Sequence, residues 1–279
     1  MSMWGRAAPK ANTLNVCLGH VSFPPEFIRY VDLMLSPRDV SAPCRSIVVD
    51  DSYFGEHGSA LSEYVQLLWL YDHFDSIVDG HDFVRVFQYR RFVSHGRVGR
   101  PSNRRHMRWI KADELLRREK DFSRHSTTEL FNEIYKSRKT MLKQYEAAHV
   151  LIDMIHFSKF LLEAEVLDTK QIASFLSSPQ LIPACNMGTF RVATLREVLM
   201  TLRKAAAFIE TSDFTPRAGY QRRSLGFLLE RLNSHLLLQR VESGSTQAAF
   251  GHHILISDGP EVTNTTELPA RPSDSPPAL

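Results

Sequence analysis

The sequence predicts an α/β protein with a largely parallel, mixed sheet flanked by helices and a helix-rich C-terminal half. Three observations predict it. Short β-type apolar runs alternate with helical patterns over about the first 90 residues, the signature of strand–helix–strand units. From Ser126 onward apolar residues recur mainly at helical spacing. The 279 residues are 43% hydrophobic and 23% charged, enough to bury a sizeable core and too balanced for a fibrous or wholly disordered chain.

In chain order, Met1–Asn12 is mixed and reads as a flexible N-terminus without the apolar middle of a secretory signal. Residues 13–256 form one domain. Leu14–Leu18 is a strand ending at Gly19-His20. Pro24-Pro25 opens a segment whose Phe27, Tyr30, Val31 and Met34 recur at helical spacing. Ser46–Val49 is a second strand running into Asp50-Asp51. A strongly apolar helix spans about Ser59–Phe74, capped by Ser59 and buried through Leu61, Tyr64, Val65, Leu68 and Tyr71. Asp82–Gln88 alternates as a strand and delivers Tyr89-Arg90-Arg91 at its carboxyl end. Arg97–Arg108 is basic and aperiodic, a loop. Ser126-x-x-Glu129 reads as a capping box opening a helix through Leu130, Ile134, Leu142 and Tyr145. Another helix covers Ala147–Leu162, and Asp168-x-x-Gln171 and Thr194-x-x-Glu197 start two more. The last helix spans about Tyr220–Gln239, and the tail 257–279, rich in Pro, Ser, Thr and Glu, is expected to be disordered.

Composition narrows the function. No uncharged apolar run approaches the roughly 18 residues of a transmembrane helix. Three scattered cysteines make neither a disulfide framework nor a CxxC zinc site, so a reducing, cytoplasmic setting is expected. Between Arg85 and Arg124 there are 13 Lys or Arg against 4 Asp or Glu, inside a chain whose net charge is only +3. Such a block suits an anionic partner (phosphate, nucleic acid or an anionic membrane surface) or is simply a solvated loop. It lacks interleaved exposed aromatics and any recognisable recognition helix, and no nucleic acid is expected.

Ligands of open α/β sheets bind outside the carboxyl ends of the strands. Gly19-His20, Asp50-Asp51 and Gln88-Tyr89-Arg90-Arg91 fall there. Adjacent guanidiniums leaving a strand suit a diphosphate, through bidentate charge-assisted bonds. The structural alternatives are a packed histidine, a capping aspartate and an arginine turned to solvent.

Two ordered blocks carry a family resemblance. Leu61-Ser62-Glu63-Tyr64-Val65-Gln66-Leu67-Leu68-Trp69, then Asp82-Phe83-Val84 and Gln88-Tyr89-Arg90-Arg91-Phe92, resemble "sELTalYWiWKN … dyvGlcHYRRyf". That signature belongs to a bacterial family of capsular and exopolysaccharide biosynthesis glycosyltransferases, first catalogued as a domain of unknown function. Asn186-Met187 with Phe190, and Tyr220–Leu232 containing Arg223 and Gly226-Phe227-Leu228, resemble its "NmFimk" and "y..R..GFLsERL" segments. The resemblance covers roughly Leu14–Leu238. Two departures stand out: Gln88 replaces the family's His before Tyr-Arg-Arg, and Leu70-Tyr71-Asp72 replaces "WKN".

The resemblance implies a GT-A-like fold and transfer of a hexose from a sugar nucleotide to a glycan or lipid-linked glycan acceptor, at the inner face of the cytoplasmic membrane. It implies donor binding by His20, Asp50, Asp51, Tyr89, Arg90, Arg91 and Arg223, with arginines supplying the counter-charge that Mn2+ or Mg2+ supplies in many GT-A enzymes. Asp50 and Asp51 are the candidates if a metal is held. Glu230 and Glu63 are the candidate catalytic carboxylates. On a helical wheel Leu225, Leu228, Leu229, Leu232 and Leu236 share one face, while Arg223, Phe227 and Glu230 lie on the other. That second face reads equally as solvated or as the wall of a cleft. A non-catalytic scaffold member of the same pathway is the alternative that Gln88 favours.

Overall fold

The computed structural model describes residues 11–19, 25–39, 44–49, 58–102 and 106–257. Strand β1 (Thr13–Leu18) lies between β2 (Leu33–Ser36) and β4 (Phe83–Gln88), parallel to both, and β3 (Arg45–Val48) runs parallel to β2. Beyond β4 come β11 (Gly188–Arg191), β8 (Glu129–Asn132), β12 (Ala248–Ile256), β7 (Met107–Ile110) and β6 (Arg100–Pro101). Strand β5 (Arg91–Ser94) pairs with both β4 and β12, so β4, β11, β8, β12 and β5 close into a barrel-like ring. A separate ribbon joins β9 (Tyr135–Lys136) to β10 (Gln180–Leu181).

The sheet is mixed. Parallel pairing governs β1, β2, β3 and the flanks of β12, whereas β11 runs antiparallel to β4 and β8, and β5 antiparallel to β4 and β12. The mixed sheet expected from sequence is present, with more antiparallel pairing than expected. The tight β4–β5 hairpin and strand β11 supply antiparallel pairings that the alternation of strand and helix does not announce.

Among the described residues the helices are α1 (Pro25–Ile28), α2 (Gly58–Leu61), α3 (Tyr64–Asp72), α4 (Phe74–Val78), α5 (Met141–Glu146), α6 (Leu151–Glu163), α7 (Thr169–Ser177), α8 (Val192–Ala206) and α9 (Ser224–Glu242). None is long and apolar enough to cross a membrane. The capping box at Asp168 is present as expected: its carboxylate accepts from the Gln171 N–H at 2.8 Å, and the Gln171 side chain accepts from the Asp168 N–H at 2.9 Å.

Four expected elements are different, each for a physical reason. The helix expected after Pro24-Pro25 lasts only through α1, because Leu33, Met34 and Leu35 are buried on both faces of the sheet as β2. The helix expected over Ser59–Phe74 breaks at Ser62, whose φ of 57° is left-handed, so Ser59 lies inside α2 and caps nothing. The capping box at Ser126 does not form. The Ser126 hydroxyl accepts from Arg85 at 3.0 Å, Glu129 lies in β8, and its carboxylate accepts from the Arg191 N–H at 2.9 Å. The basic segment 97–108 is not all loop. Arg108 donates to the carbonyls of Val98 and Gly99, Arg100 stacks over Trp109, and these contacts hold β6 against β7.

Residues alternate between two cores. Val16, Leu18, Val84 and Val86 face the larger core, built with α3, α8 and α9. Cys17, Met34 and Phe87 face the smaller one, where Phe27, Phe92 and Phe122 pack edge-on or tilted against one another. In the larger core His235 is 2% exposed, its ring 5.3 Å from Phe175, and its Nε2 has no partner among the described residues. Burial pushes its pKa down to about 4 from 6.5. Between those values the unfolded chain binds the proton and the native chain does not, so stability is full above pH 6.5 and falls as the pH drops toward 4. His235→Leu is expected to remove about 2 kcal/mol of the stability difference between pH 7 and pH 4.5. Urea unfolding of both proteins at the two pH values measures it, and an unchanged difference would show that His235 is not the titrating group.

Candidate active site

The site forms where the two sequence blocks meet. The Tyr89-Arg90 pair is the tight turn between β4 and β5, and Arg91 begins β5 opposite Gln88. The backbone fastens this hairpin to its neighbours: the Tyr89 N–H donates to Leu18 O at 3.1 Å, and the Ile256 N–H to Arg90 O at 2.8 Å. The turn thus sits at the carboxyl end of β1 and β4. Gln66, buried in α3, donates to Gly19 O at 2.9 Å and Leu35 O at 3.0 Å, bringing the start of that helix to the ends of β1 and β2.

At that helix start the chain is strained. Ser62 adopts φ 57°, a conformation costing a non-glycine residue on the order of 1 kcal/mol. The strain is held by Arg223, at the start of α9. Its Nε and Nη2 donate to Ser62 Oγ at 3.1 and 2.6 Å, and Nη2 also donates to Glu63 Oε2 at 3.1 Å. The Ser62 hydroxyl donates to the same carboxylate. Burial raises the Glu63 pKa, but Arg223, the Ser62 hydroxyl and, more weakly, Arg91 outweigh it and hold the carboxyl below its ordinary value. Arg91 also donates to Gln88 Oε1 at 3.5 Å. Arg90 lies over the Tyr89 ring, 5.3 Å from its centre, and its buried Nε has no partner among the described residues.

Gly226 makes this junction close enough. A Cβ there would lie 2.8 Å from the carbonyl oxygen of Leu61 and 3.2 Å from the Cβ of Ser62. The obstacle is backbone, which cannot rotate away. Gly226→Ala gains up to about 1 kcal/mol of helix propensity, but overpacking of this kind costs about 1 to 3 kcal/mol. The clash wins, and a melting temperature several degrees lower is expected; an unchanged or higher one would show that α9 is not seated on the α2–α3 turn.

Along α9, Phe227 and Glu230 follow Arg223 on one face. Arg223 lies over the Phe227 ring at 5.6 Å. Phe227 stacks on His149, 4.1 Å between ring centres, and lies 5.1 Å from Tyr220. Glu230 is about one-third exposed and accepts from Arg231 at 3.1 Å. Behind it the Cys185 thiol donates to the Glu230 carbonyl at 3.2 Å, and Asn233 donates to the Tyr64 hydroxyl at 3.3 Å. Burial, reinforced by the Glu230 charge, pushes both the Tyr64 hydroxyl and the Cys185 thiol up, so both stay protonated at neutral pH.

The structure therefore brings together Glu63, Arg91 and Arg223, with Tyr89 and Arg90 on the adjoining turn and Glu230 farther along the same face of α9. His20, Asp50 and Asp51 lie outside the described residues. Among the described residues no group of three His, Cys, Asp or Glu side chains forms a metal cluster. Sequence reasoning missed Ser62 and His149. Ser62 lies in a run expected to be one continuous helix, and His149 lies within the segment Ala147–Leu162, expected to be another helix. Of the basic block, Arg85 is buried, Arg100 pairs with Glu114 and Arg124 with Asp32, so these three serve the fold.

No protein-family model matches the chain, and no curated protein matches it. A solved structure does: the apo form of WbbM, described as a bifunctional glycosyltransferase. The chain aligns over 88% of its length at 13% identity with a TM-score of 0.66, and it covers 46% of that structure's chain. At that identity the likeness establishes a shared fold, for a chain spanning just under half of its neighbour.

Proposed function

We propose that this chain is a glycosyltransferase that transfers a hexose from a sugar nucleotide to a glycan acceptor, in surface-polysaccharide or exopolysaccharide synthesis. One observation carries the reading: Arg91, Arg223 and Glu63 converge with the Tyr89-Arg90 turn at the carboxyl ends of β1 and β4. Three guanidiniums against one ionised carboxylate leave an excess of positive charge at this junction, suited to a diphosphate. The shared fold with WbbM supports it, as does the motif resemblance.

In the transfer, the acceptor oxygen attacks the anomeric carbon, the bond from that carbon to the phosphate oxygen breaks, and the nucleoside diphosphate leaves with its charge met by Arg90, Arg91 and Arg223. The acceptor hydroxyl proton goes to a carboxylate. Glu230 suits this step better than Glu63. Glu63 is held low and occupied on Ser62 and Arg223, which makes it a weak base and a good anchor for Arg223. Binding through arginines requires no divalent metal; Asp50 and Asp51 remain the residues for Mn2+ or Mg2+ should one be used.

Gln88 favours a second reading, a donor-binding scaffold without turnover, because a neutral amide accepting from Arg91 stands where the family carries an imidazole. Release of nucleotide from UDP-, GDP- and dTDP-hexoses, followed with and without added oligosaccharide, separates the two. Glu230-dependent release supports transfer. Donor binding without release from any of them would leave the scaffold.

A further inference from the structure

The wall formed by Tyr220, His149 and Phe227 is built more elaborately than a core edge requires. Tyr220 stands 43% exposed on the helical turn Gly219–Arg223 that leads into α9. Its ring is nearly parallel to His149, at 6.2 Å and 14°, and lies 5.1 Å from Phe227, which is 7% exposed and stacked on His149, so Tyr220 is the exposed ring of one packed aromatic cluster. The His149 ring is fixed in orientation. Its Nδ1 donates to Gln221 Oε1 at 3.2 Å, while Gln221 Nε2 donates to Ala148 O at 3.0 Å. Burial, together with the nearby Arg231 charge, pushes the His149 pKa down to about 4, so the surface is neutral at physiological pH.

Position decides what such a surface takes. Arg223 lies over one edge of Phe227 and is the same side chain that grips Ser62 and Glu63. Arg223 therefore joins the aromatic cluster to the cationic junction at Ser62 and Glu63. Glu230 projects from the same face of α9. A neutral, preoriented aromatic face suits the C–H-rich face of a pyranose ring, whose hydroxyls stay at the rim for Gln221 and Arg223.

We propose that Tyr220, backed by His149 and Phe227, is the platform on which a pyranose ring of the acceptor glycan stacks, next to the arginine junction proposed for the diphosphate. This rests on the transferase reading for the word acceptor, but the platform itself is tested without turnover. The probes are an array of pyranose oligosaccharides and, separately, UDP, applied to the full chain, Tyr220→Ala and Tyr220→Phe. Tyr220 is exposed, so an unchanged melting temperature is expected for both variants. The expected result is at least a tenfold loss of oligosaccharide retention in Tyr220→Ala, near-native retention in Tyr220→Phe, and unchanged UDP affinity in both. Equal retention by Tyr220→Ala and the native chain would overturn the proposal, as would a native chain that retains no oligosaccharide. A tenfold loss of UDP affinity in Tyr220→Ala would overturn it in favour of a nucleobase seat. Tyr220-dependent oligosaccharide binding in a chain that binds no nucleotide would keep the platform and refute the transferase reading.

Discussion

Replacing Arg90 and Arg91 together with alanine is expected to weaken binding of a sugar nucleotide by at least a hundredfold. Charge-assisted hydrogen bonds contribute roughly 1.5 to 3 kcal/mol each, and the two guanidiniums flank one turn at the carboxyl end of β4. The loss should fall on binding rather than folding. The turn is fastened through backbone groups, Tyr89 N–H to Leu18 O and Ile256 N–H to Arg90 O, which alanine keeps. Calorimetric titration with the nucleoside diphosphate, beside a melting curve, measures both. Unchanged affinity in the folded double variant would remove the arginines from the donor site.

The second large effect concerns stability. Arg85 is 7% exposed in β4 and engages all three guanidinium nitrogens: Nε donates to Thr189 Oγ1 at 3.1 Å, Nη1 to Asn15 Oδ1 at 2.7 Å and Ser123 O at 2.8 Å, and Nη2 to Ser126 Oγ at 3.0 Å. It joins β1, β4 and β11 to the segment entering β8. Burial pushes its pKa down to about 10, against the pull of Asp121 and Asp32, so it stays charged at neutral pH. Arg85→Met fills much of the space but leaves these acceptors without a donor, each a cost of about 1 to 3 kcal/mol when water cannot reach it. A loss of about 3 to 5 kcal/mol in urea unfolding is expected. A loss under about 1 kcal/mol would mean that water or a relaxed sheet replaces the arginine.

Arg85 also shows why part of the fold was hard to read. It sits in a basic block whose charge suggests an external anion, yet its four acceptors come from segments far apart in sequence. Local composition cannot show that closure. Strands β1, β3 and β4 were legible because apolar runs with turn signals announce them, and α6 and α9 because long apolar stripes do. Strand β2 was misread because Phe27, Tyr30, Val31 and Met34 fit a helical period by chance while serving a turn of helix and a buried strand. Strand β8 was misread because Ser126 and Glu129 match a capping box whose side chains are engaged elsewhere. Of the site, the arginines and Glu63 were legible from the motif blocks. Their junction was not, because it depends on a left-handed Ser62 and on the missing side chain of Gly226, and each takes its meaning only from the other helix.

The junction of Arg90, Arg91 and Arg223 is proposed to bind the diphosphate of a sugar nucleotide. Thermal shift of the full chain with UDP-, GDP- and dTDP-hexoses, each with manganese and with EDTA, tests it most directly. A stabilising shift with at least one donor that persists in EDTA is expected, since a ligand bound only by the native state raises its melting point. No shift with any donor, or a shift that appears only with manganese, would contradict it.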